Sequence, residues 1–357
     1  MRKVLVDSLE PGMKVARPVF NTDGRILINT GVIIRPNYIR LLKHLGVLIV
    51  FVDDEQFPAV EVEDILSQET RMRATKVVRD LIINARRQEG SGRAIIINTN
   101  EVGSVINEII GNLFQRDLLM LNLADVRSVD DYTFSHSLNV CLMGLIAGIS
   151  LNLGKRRLFE LGMGAMLHDM GKTKIPDKIL KKPGPLTKEE MIEVQKHSLF
   201  GYEIIKQKQG IPSIVAEIAY EHHERLNGEG YPRKLSGSRI QPLSQITGIA
   251  DVYDAVMSDR VYRKAYLPHE AYELIAAAGD FHYEYRYVEA FLSNIAVYPV
   301  GTVVALNSGE VGVVSKLRRG LSHRPVIQIT QKTGETNETY ELDLAKRTDL
   351  VITRIIQ

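Results

Sequence analysis

Residues 162–172 read GMGAMLHDMGK, an apolar run that ends in the polar pair His168-Asp169. The spacing of its apolar residues favours a helix that carries this pair at its end. Side chains of the same chemical type recur in YTFSHSLNV (132–140), at residue 197, in EHHERLNGEGYP (221–232) and in IADVYDAVMSDR (249–260). The seven candidate ligands are His136, His168, Asp169, His197, His222, His223 and Asp251.

These side chains indicate a catalytic metal site. Mixtures of imidazole and carboxylate suit iron, manganese, zinc and similar ions, and the lack of nearby thiolates argues against a closed structural zinc site. A lone histidine is more often a hydrogen-bonded core residue, and that interpretation applies to the four that stand singly: His44, His269, His282 and His323. Seven clustered ligands exceed the needs of one ion, and a carboxylate beside a histidine can bridge two. The sequence therefore predicts two divalent ions.

Composition sets the class of protein. The chain has 357 residues, 45% of them hydrophobic and 25% charged, which indicates a globular protein of two or three domains. The formal net charge of +2 gives no reason to expect nucleic-acid binding. The single cysteine, Cys141, lies in an apolar run and fits a reducing compartment. We find neither a signal peptide nor a membrane span, and we expect a cytoplasmic protein.

The pattern of residues predicts four segments. Residues 1–60 alternate short β-type runs, a turn at Asp23-Gly24 and a helix from Pro36, which indicates a small α+β accessory domain. Residues 61–127 read as a helical linker and the start of the helical region. Residues 128–295 read as the all-α catalytic domain, with a capping box at Thr187 opening the helix that bears His197. Residues 296–357 return to β-type runs and predict a small antiparallel, barrel-like β domain.

Four stretches of the chain closely resemble the HD-GYP domain. They are the pattern around His136, HDMGK at 168–172, HHERLNGEGYP at 222–232 and DVYDAVMSDRVYR at 251–263. That domain is a bacterial subset of the HD phosphohydrolase superfamily and degrades cyclic di-GMP. The resemblance implies an HD-type helical core over about residues 128–295, in which the seven candidate ligands bind the metals. Asp169 would bridge the two ions, for which we expect iron or manganese. The first 55 residues more weakly resemble a small domain that precedes some HD-GYP domains.

Other residues near these motifs are candidates for catalysis and substrate binding. Lys172 lies one helical turn from His168 and is expected to clamp charge or to protonate the leaving oxygen. Arg260 and Arg263, with Lys264 as a weaker candidate, are expected to contact the phosphates or guanines, against the alternative of a solvated face. The resemblance implies that the GYP loop, with Tyr231, shapes the substrate site or docks a partner. Asp254 is expected to orient a ligand or Lys172.

The sequence therefore predicts a metal-dependent phosphodiesterase that converts cyclic di-GMP to pGpG, with further conversion to GMP left open. Two alternatives stay open: a hydrolase of another cyclic dinucleotide or nucleotide, and a cyclic di-GMP receptor with little turnover. A signalling partner at the GYP loop or the N-terminal domain, and a homodimer, are further expectations. Some members of the family hold a third metal with a carboxylate where this chain has Tyr132, so we expect two ions.

Overall fold

A computed structural model describes residues 1–20, 26–45, 47, 49–53, 65–89, 95–115, 132–258, 266–333 and 336–356. The chain divides into two compact units. The described residues within Met1–Ile65 and Ile295–Gln357 belong to the first unit, and those within Leu66–Leu119 and Thr133–Asn294 belong to the second. The domain boundaries expected from the sequence remain predictions.

The N-terminal part of the first unit combines short strands with one helix. The elements are β1 (Arg2–Leu5), β2 (Lys14–Val15), β3 (Val19–Phe20), β4 (Ile26–Ile28), α1 (Pro36–His44) and β5 (Ile49–Asp53). β5 pairs antiparallel with β1 and β2, and β3 pairs antiparallel with β4. α1 begins at the predicted proline, whose missing N–H is not needed in a first helical turn. The α+β composition is as predicted, while the turn Asp23-Gly24 lies outside the described residues.

The C-terminal part of the first unit is an antiparallel sheet. Its strands are β6 (Val303–Leu306), β7 (Val311–Lys316), β8 (Val326–Thr333), β9 (Thr336–Asp343) and β10 (Ile352–Ile356), in the order β10-β6-β7-β8-β9. β6 and β7 are joined by a tight turn, in which Gly309 has φ +89° and donates its N–H to the Leu306 carbonyl at 3.0 Å. β9 and β10 do not pair within the described residues, so the sheet is open rather than a closed barrel.

The second unit is helical. Its helices are α2 (Gln68–Glu89), α3 (Thr99–Phe114), α4 (Tyr132–Ser150), α5 (Lys155–Leu167), α6 (Asp177–Leu180), α7 (Lys188–Gln195), α8 (His197–Lys206), α9 (Ser213–Glu221), α10 (Pro242–Met257), α11 (Pro268–Ala277) and α12 (Tyr285–Leu292). α2 is joined to α3 by the Thr70 hydroxyl, which donates to Glu108 at 2.7 Å. Apolar residues of α3, α4, α5, α9 and α10 are buried in its core. Among the described residues, no helix has both the length and the apolar character needed to cross a bilayer.

The predicted capping box is present at Thr187, but the helix it opens ends before His197. The Thr187 side chain accepts from the Glu190 N–H at 3.2 Å, and the Glu190 carboxylate accepts from the Thr187 N–H at 2.8 Å. The His197 ring then contacts the Val194 carbonyl at 2.6 Å, near the end of α7. A side chain that donates a hydrogen bond to a carbonyl at a helix end competes with the backbone N–H that would continue the helix. His197 therefore lies at the start of α8.

A glycine lets two segments that carry predicted ligands approach closely. The 3-10 segment Met170–Lys174 follows His168-Asp169 and packs against α8. A Cβ at Gly171 would lie 1.9 Å from the His197 carbonyl oxygen and 2.4 Å from the Gly201 nitrogen. Both contacts are with backbone, which cannot move aside as a flexible side chain can. The absence of a side chain at this position brings His168-Asp169 and His197 together.

Candidate metal centre

The seven predicted ligands come from five parts of the second unit. His136 lies on α4, His168 and Asp169 follow α5, His197 starts α8, His222 and His223 follow α9, and Asp251 lies on α10. Six of them are buried, and His223 is mostly buried, with 18% of its side chain exposed. Their donor atoms form three overlapping groups, and the three atoms of each group lie within 4.8 Å of one another. The groups are His197 with His222 and His223, His136 with His168 and Asp251, and His168 with Asp169 and His222. The structure therefore brings the seven predicted ligands together.

Backbone carbonyls fix the orientation of three imidazoles. Nδ1 of His168, His197 and His222 each lies within hydrogen-bond distance of the carbonyl three residues earlier. These carbonyls are Ala165, Val194 and Ala219, at 2.7, 2.6 and 2.9 Å. Because a carbonyl oxygen only accepts, each Nδ1 must donate its proton. A neutral ring in this tautomer carries its lone pair on Nε2, which is the arrangement that metal ligation requires.

The resulting lone pairs face one another. Nε2 of His197 lies 3.3 Å from Nε2 of His222, and neither nitrogen has a proton to place between them. Within the described residues, His168 Nε2 and Asp169 Oδ1 have no hydrogen-bond partner. Buried polar atoms are normally paired, and a group of unpaired acceptors is unfavourable without a cation. This donor set fits a divalent metal ion.

Asp169 lies between two halves of the cluster. Its Oδ1 is 3.5 Å from His197 Nε2, while its Oδ2 is 3.4 Å from His136 Nε2 and 3.3 Å from His168 Nε2. One carboxylate oxygen therefore faces each half. Asp251 closes the second half, with Oδ1 3.2 Å from His136 Nε2 and Oδ2 3.8 Å from His223 Nδ1.

The burial of these residues controls their charge. Burial lowers the pKa of His197 to about 4 and holds those of His222 and His223 well below the ordinary value, so these rings are neutral near pH 7. Burial alone raises the pKa of Asp169, but the Lys172 charge and interactions with His136 and His168 outweigh it and hold this pKa well below its ordinary value. The pKa of Asp251 is also well below its ordinary value, because burial raises it but hydrogen bonding from His136 and interactions with neighbouring histidines together lower it further. Neutral imidazoles and ionised carboxylates are the ligand forms that metals bind.

Lys172 lies at the edge of this cluster. Its ammonium donates to Asp169 Oδ2 at 2.6 Å, and its side chain is 31% exposed. A cation at this position stabilises the ionised form of Asp169 and remains open to solvent.

Asp254 contacts His136, one of the two partners expected for it. Its Oδ2 lies 2.8 Å from His136 Nδ1, and its Oδ1 accepts from the Asn139 amide at 2.7 Å. This pairing leaves His136 Nε2 to face Asp169 and Asp251. Asn139, one turn after His136 on α4, was not predicted, although the i, i+3 spacing could have indicated it.

The proposed substrate contacts are described only in part. Tyr231 stacks on His223, with ring centroids 4.6 Å apart and an interplanar angle of 28°, and its ring lies 6.3 Å from that of His197. Arg260, Arg263 and Lys264 lie outside the described residues, as does the side chain of Tyr132. Their roles remain predictions.

Comparison with known proteins identifies the family of the helical unit. Residues 135–286 match the HD domain family. A cyclic di-GMP phosphodiesterase of Pseudomonas aeruginosa is 30% identical over 275 residues, which cover 76% of this chain and 66% of the relative. The cyclic di-GMP phosphodiesterase response regulator RpfG of Xanthomonas campestris is 39% identical over 154 residues, covering 43% of this chain and 40% of the relative. A 3′3′-cGAMP-specific phosphodiesterase of Vibrio cholerae is 40% identical over 129 residues, covering 36% and 25%.

The chain therefore carries an HD domain of the HD-GYP group, as the motifs predicted. Its helical second unit is an HD-type core, and the five-stranded antiparallel sheet follows it in sequence. The chain covers less than two thirds of the length of each of these relatives.

Proposed function

We propose that this protein is a metal-dependent phosphodiesterase that hydrolyses cyclic di-GMP to linear pGpG in bacterial second-messenger signalling. The observation that carries the proposal is the buried cluster of imidazole and carboxylate donors whose lone pairs face inward around Asp169. The names of the Pseudomonas aeruginosa and Xanthomonas campestris relatives support the same substrate.

For this donor set we propose two divalent ions, iron or manganese. His136, His168 and Asp251 would hold one ion, and His197, His222 and His223 would hold the other, with one Asp169 oxygen toward each. When bound, such a pair neutralises phosphate oxygens, lowers the pKa of water and stabilises the leaving alkoxide.

The remaining residues would bind and orient the substrate. The Lys172 ammonium, partly exposed beside Asp169, is placed to neutralise the phosphate or to protonate the leaving oxygen. Tyr231 offers an aromatic face beside His223, which suits stacking on a guanine. Arg260, Arg263 and Lys264 are proposed to contact the phosphates. Losing one such charge-assisted contact in Arg263→Ala would raise KM roughly tenfold or more.

A second candidate substrate is another cyclic dinucleotide. The Vibrio cholerae relative carries the name of a 3′3′-cGAMP-specific phosphodiesterase and is 40% identical over the matched region. A receptor role with little turnover is less well supported, because all seven donors are present and oriented inward. A signalling partner, a homodimer and a cytoplasmic location remain predictions.

The test is anaerobic purification, elemental analysis and identification of the products. We expect about two iron or manganese ions per chain, and pGpG from cyclic di-GMP at a higher kcat/KM than from 3′3′-cGAMP. The isosteric variant Asp169→Asn should lose both metal and turnover while keeping its circular dichroism spectrum. Asp177→Asn makes the same charge change at an exposed surface pair with Lys181 and serves as the control. Full metal content and full rate in Asp169→Asn would contradict the proposal.

The number of ions has its own test. Tyr132 occupies the position where a carboxylate would hold a third ion, and a neutral phenol is a poor ligand for a hard cation. We expect pGpG to accumulate before GMP, and Tyr132→Glu to raise the metal stoichiometry or to speed conversion of pGpG to GMP. Three ions in the unmodified protein would overturn the two-ion proposal alone.

A further inference from the structure

The loop that follows the histidine doublet folds back onto one buried carboxylate. Glu224 is 1% exposed, yet it follows the ligand His223 directly in sequence. Its Oε1 accepts the backbone N–H of Arg233 at 2.7 Å, and its Oε2 accepts the backbone N–H of Leu235 at 2.8 Å. Hydrogen bonds from N–H groups to a carboxylate are stronger than those between neutral groups. Glu224 therefore closes a loop that contains the GYP residues.

The closed loop lies tightly against the backbone of the doublet. A Cβ at Gly230 would lie 2.5 Å from the Glu224 Cα, the Arg225 nitrogen and the His223 carbonyl oxygen. The Tyr231 N–H donates to the same His223 carbonyl at 3.3 Å. This path places the Tyr231 ring on the imidazole of His223, with 4.6 Å between the ring centroids.

A second buried carboxylate holds the far end of the loop. Glu221, 3% exposed, accepts the Gln241 N–H at 2.8 Å and pairs with the Arg233 guanidinium. That guanidinium also lies over the Tyr220 ring, 4.6 Å from its centroid. In the sequence Glu-His-His-Glu at 221–224, the two inner residues face the metal cluster and the two outer residues hold the loop.

We propose that Glu224 is a positioning residue, whose carboxylate fixes the GYP loop so that Tyr231 remains stacked on His223. Glu224 does not touch the reacting atoms and acts through Tyr231. The effect on turnover rests on the proposed phosphodiesterase function, whereas the effect on the position of Tyr231 does not. The two are therefore tested separately.

The first test reads the position of the ring without any activity. The chain contains no tryptophan, so Tyr231→Trp introduces a single indole reporter at the stacked position. In that background Glu224→Gln replaces one accepting oxygen with an NH₂ group that faces a backbone N–H and cannot accept from it. We expect the indole emission to shift to longer wavelength and acrylamide quenching to increase. Unchanged emission and quenching would overturn the proposal.

The matched control is Glu217→Gln in the same background. Glu217 lies on α9, is partly exposed and pairs with the Arg233 guanidinium of the loop at 3.4 Å. An exposed pair of this kind contributes little, so the emission should stay as in the reporter protein. Should Glu224→Gln fail to fold, Glu224→Asp takes its place, because it keeps the charge but is too short to reach both N–H groups.

The second test asks whether Glu224 acts through Tyr231. Glu224→Gln alone should lower kcat/KM for cyclic di-GMP roughly tenfold, the loss expected for one charge-assisted hydrogen bond. In the Tyr231→Ala background the same substitution should cause no further loss. Additive losses would show a general structural role and overturn the proposal. If the unmodified protein does not hydrolyse cyclic di-GMP, the proposed function fails, while the fluorescence comparison still decides the role of Glu224.

Discussion

At the scale of single residues, four of the five imidazoles of the cluster contact a partner that is not itself a proposed ligand. His168, His197 and His222 donate Nδ1–H to carbonyls, and His136 contacts Asp254, which Asn139 holds in turn. These contacts select the tautomer that places a lone pair inside the cluster. The affinity for metal should therefore depend on Asp254 as well as on the ligands.

Asp254→Asn tests this dependence. The amide cannot accept from both His136 and Asn139 as the carboxylate does, so His136 should lose its fixed orientation. We expect metal affinity to fall about 10- to 100-fold, measured by calorimetric titration of the metal-free protein with Mn²⁺. Asp177→Asn, an equal charge change at an exposed pair, should bind as the unmodified protein does. Equal affinity in Asp254→Asn would show that Asp254 does not orient the ligand.

At the scale of elements, the ligands lie mostly at helix ends rather than along helix faces. Asp169 follows α5, His197 starts α8, and His222-His223 follow α9. Helix ends can converge on one point only if the helices approach each other closely. Gly171 permits such a close approach between the segment after Asp169 and the start of α8. Close packing and ligand geometry are therefore linked at this glycine.

Gly171→Ala should destabilise the second unit. Its Cβ would overlap the His197 carbonyl, and we expect the free energy of unfolding to fall by at least about 2 kcal/mol, measured by urea denaturation. Gly111→Ala is the matched control, because Gly111 lies within α3 with nothing within 4 Å of a new Cβ. Removing that helical glycine should raise stability by roughly 0.5–1 kcal/mol. Equal stability of the two variants would contradict the proposed contact.

At the scale of the whole molecule, the helical unit contains several buried neutral histidines whose protonation favours unfolding. The pKa of His197 is about 4 in the folded protein, against an ordinary value of 6.5. Between these values the unfolded chain binds more protons than the folded one, so stability falls as pH falls. His222 and His223 act in the same direction.

The metal-free protein should therefore lose stability from about pH 6.5 down to about pH 4 and keep it above pH 6.5. His197 alone would account for a loss of about 3 kcal/mol across this window. Urea denaturation at a series of pH values after chelation measures the slope. His197→Gln cannot titrate and should show a shallower slope over the same range. The same slope in both proteins would show that His197 is not buried in its neutral form.

The sequence by itself predicted the seven candidate ligands, the helical character of the core and the capping box at Thr187. These depend on residue type and on spacing along one segment, and both can be read without the fold. The tertiary structure decided which side chains meet: Asp254 and Asn139 reach each other across 115 positions, and Glu224 meets backbone N–H groups beyond the GYP residues. The tertiary structure also decided that α7 ends before His197. The His197 ring donates Nδ1–H to the Val194 carbonyl at the end of this helix, while its Nε2 faces the cluster. Such contacts follow from how separate elements pack, which local patterns do not encode.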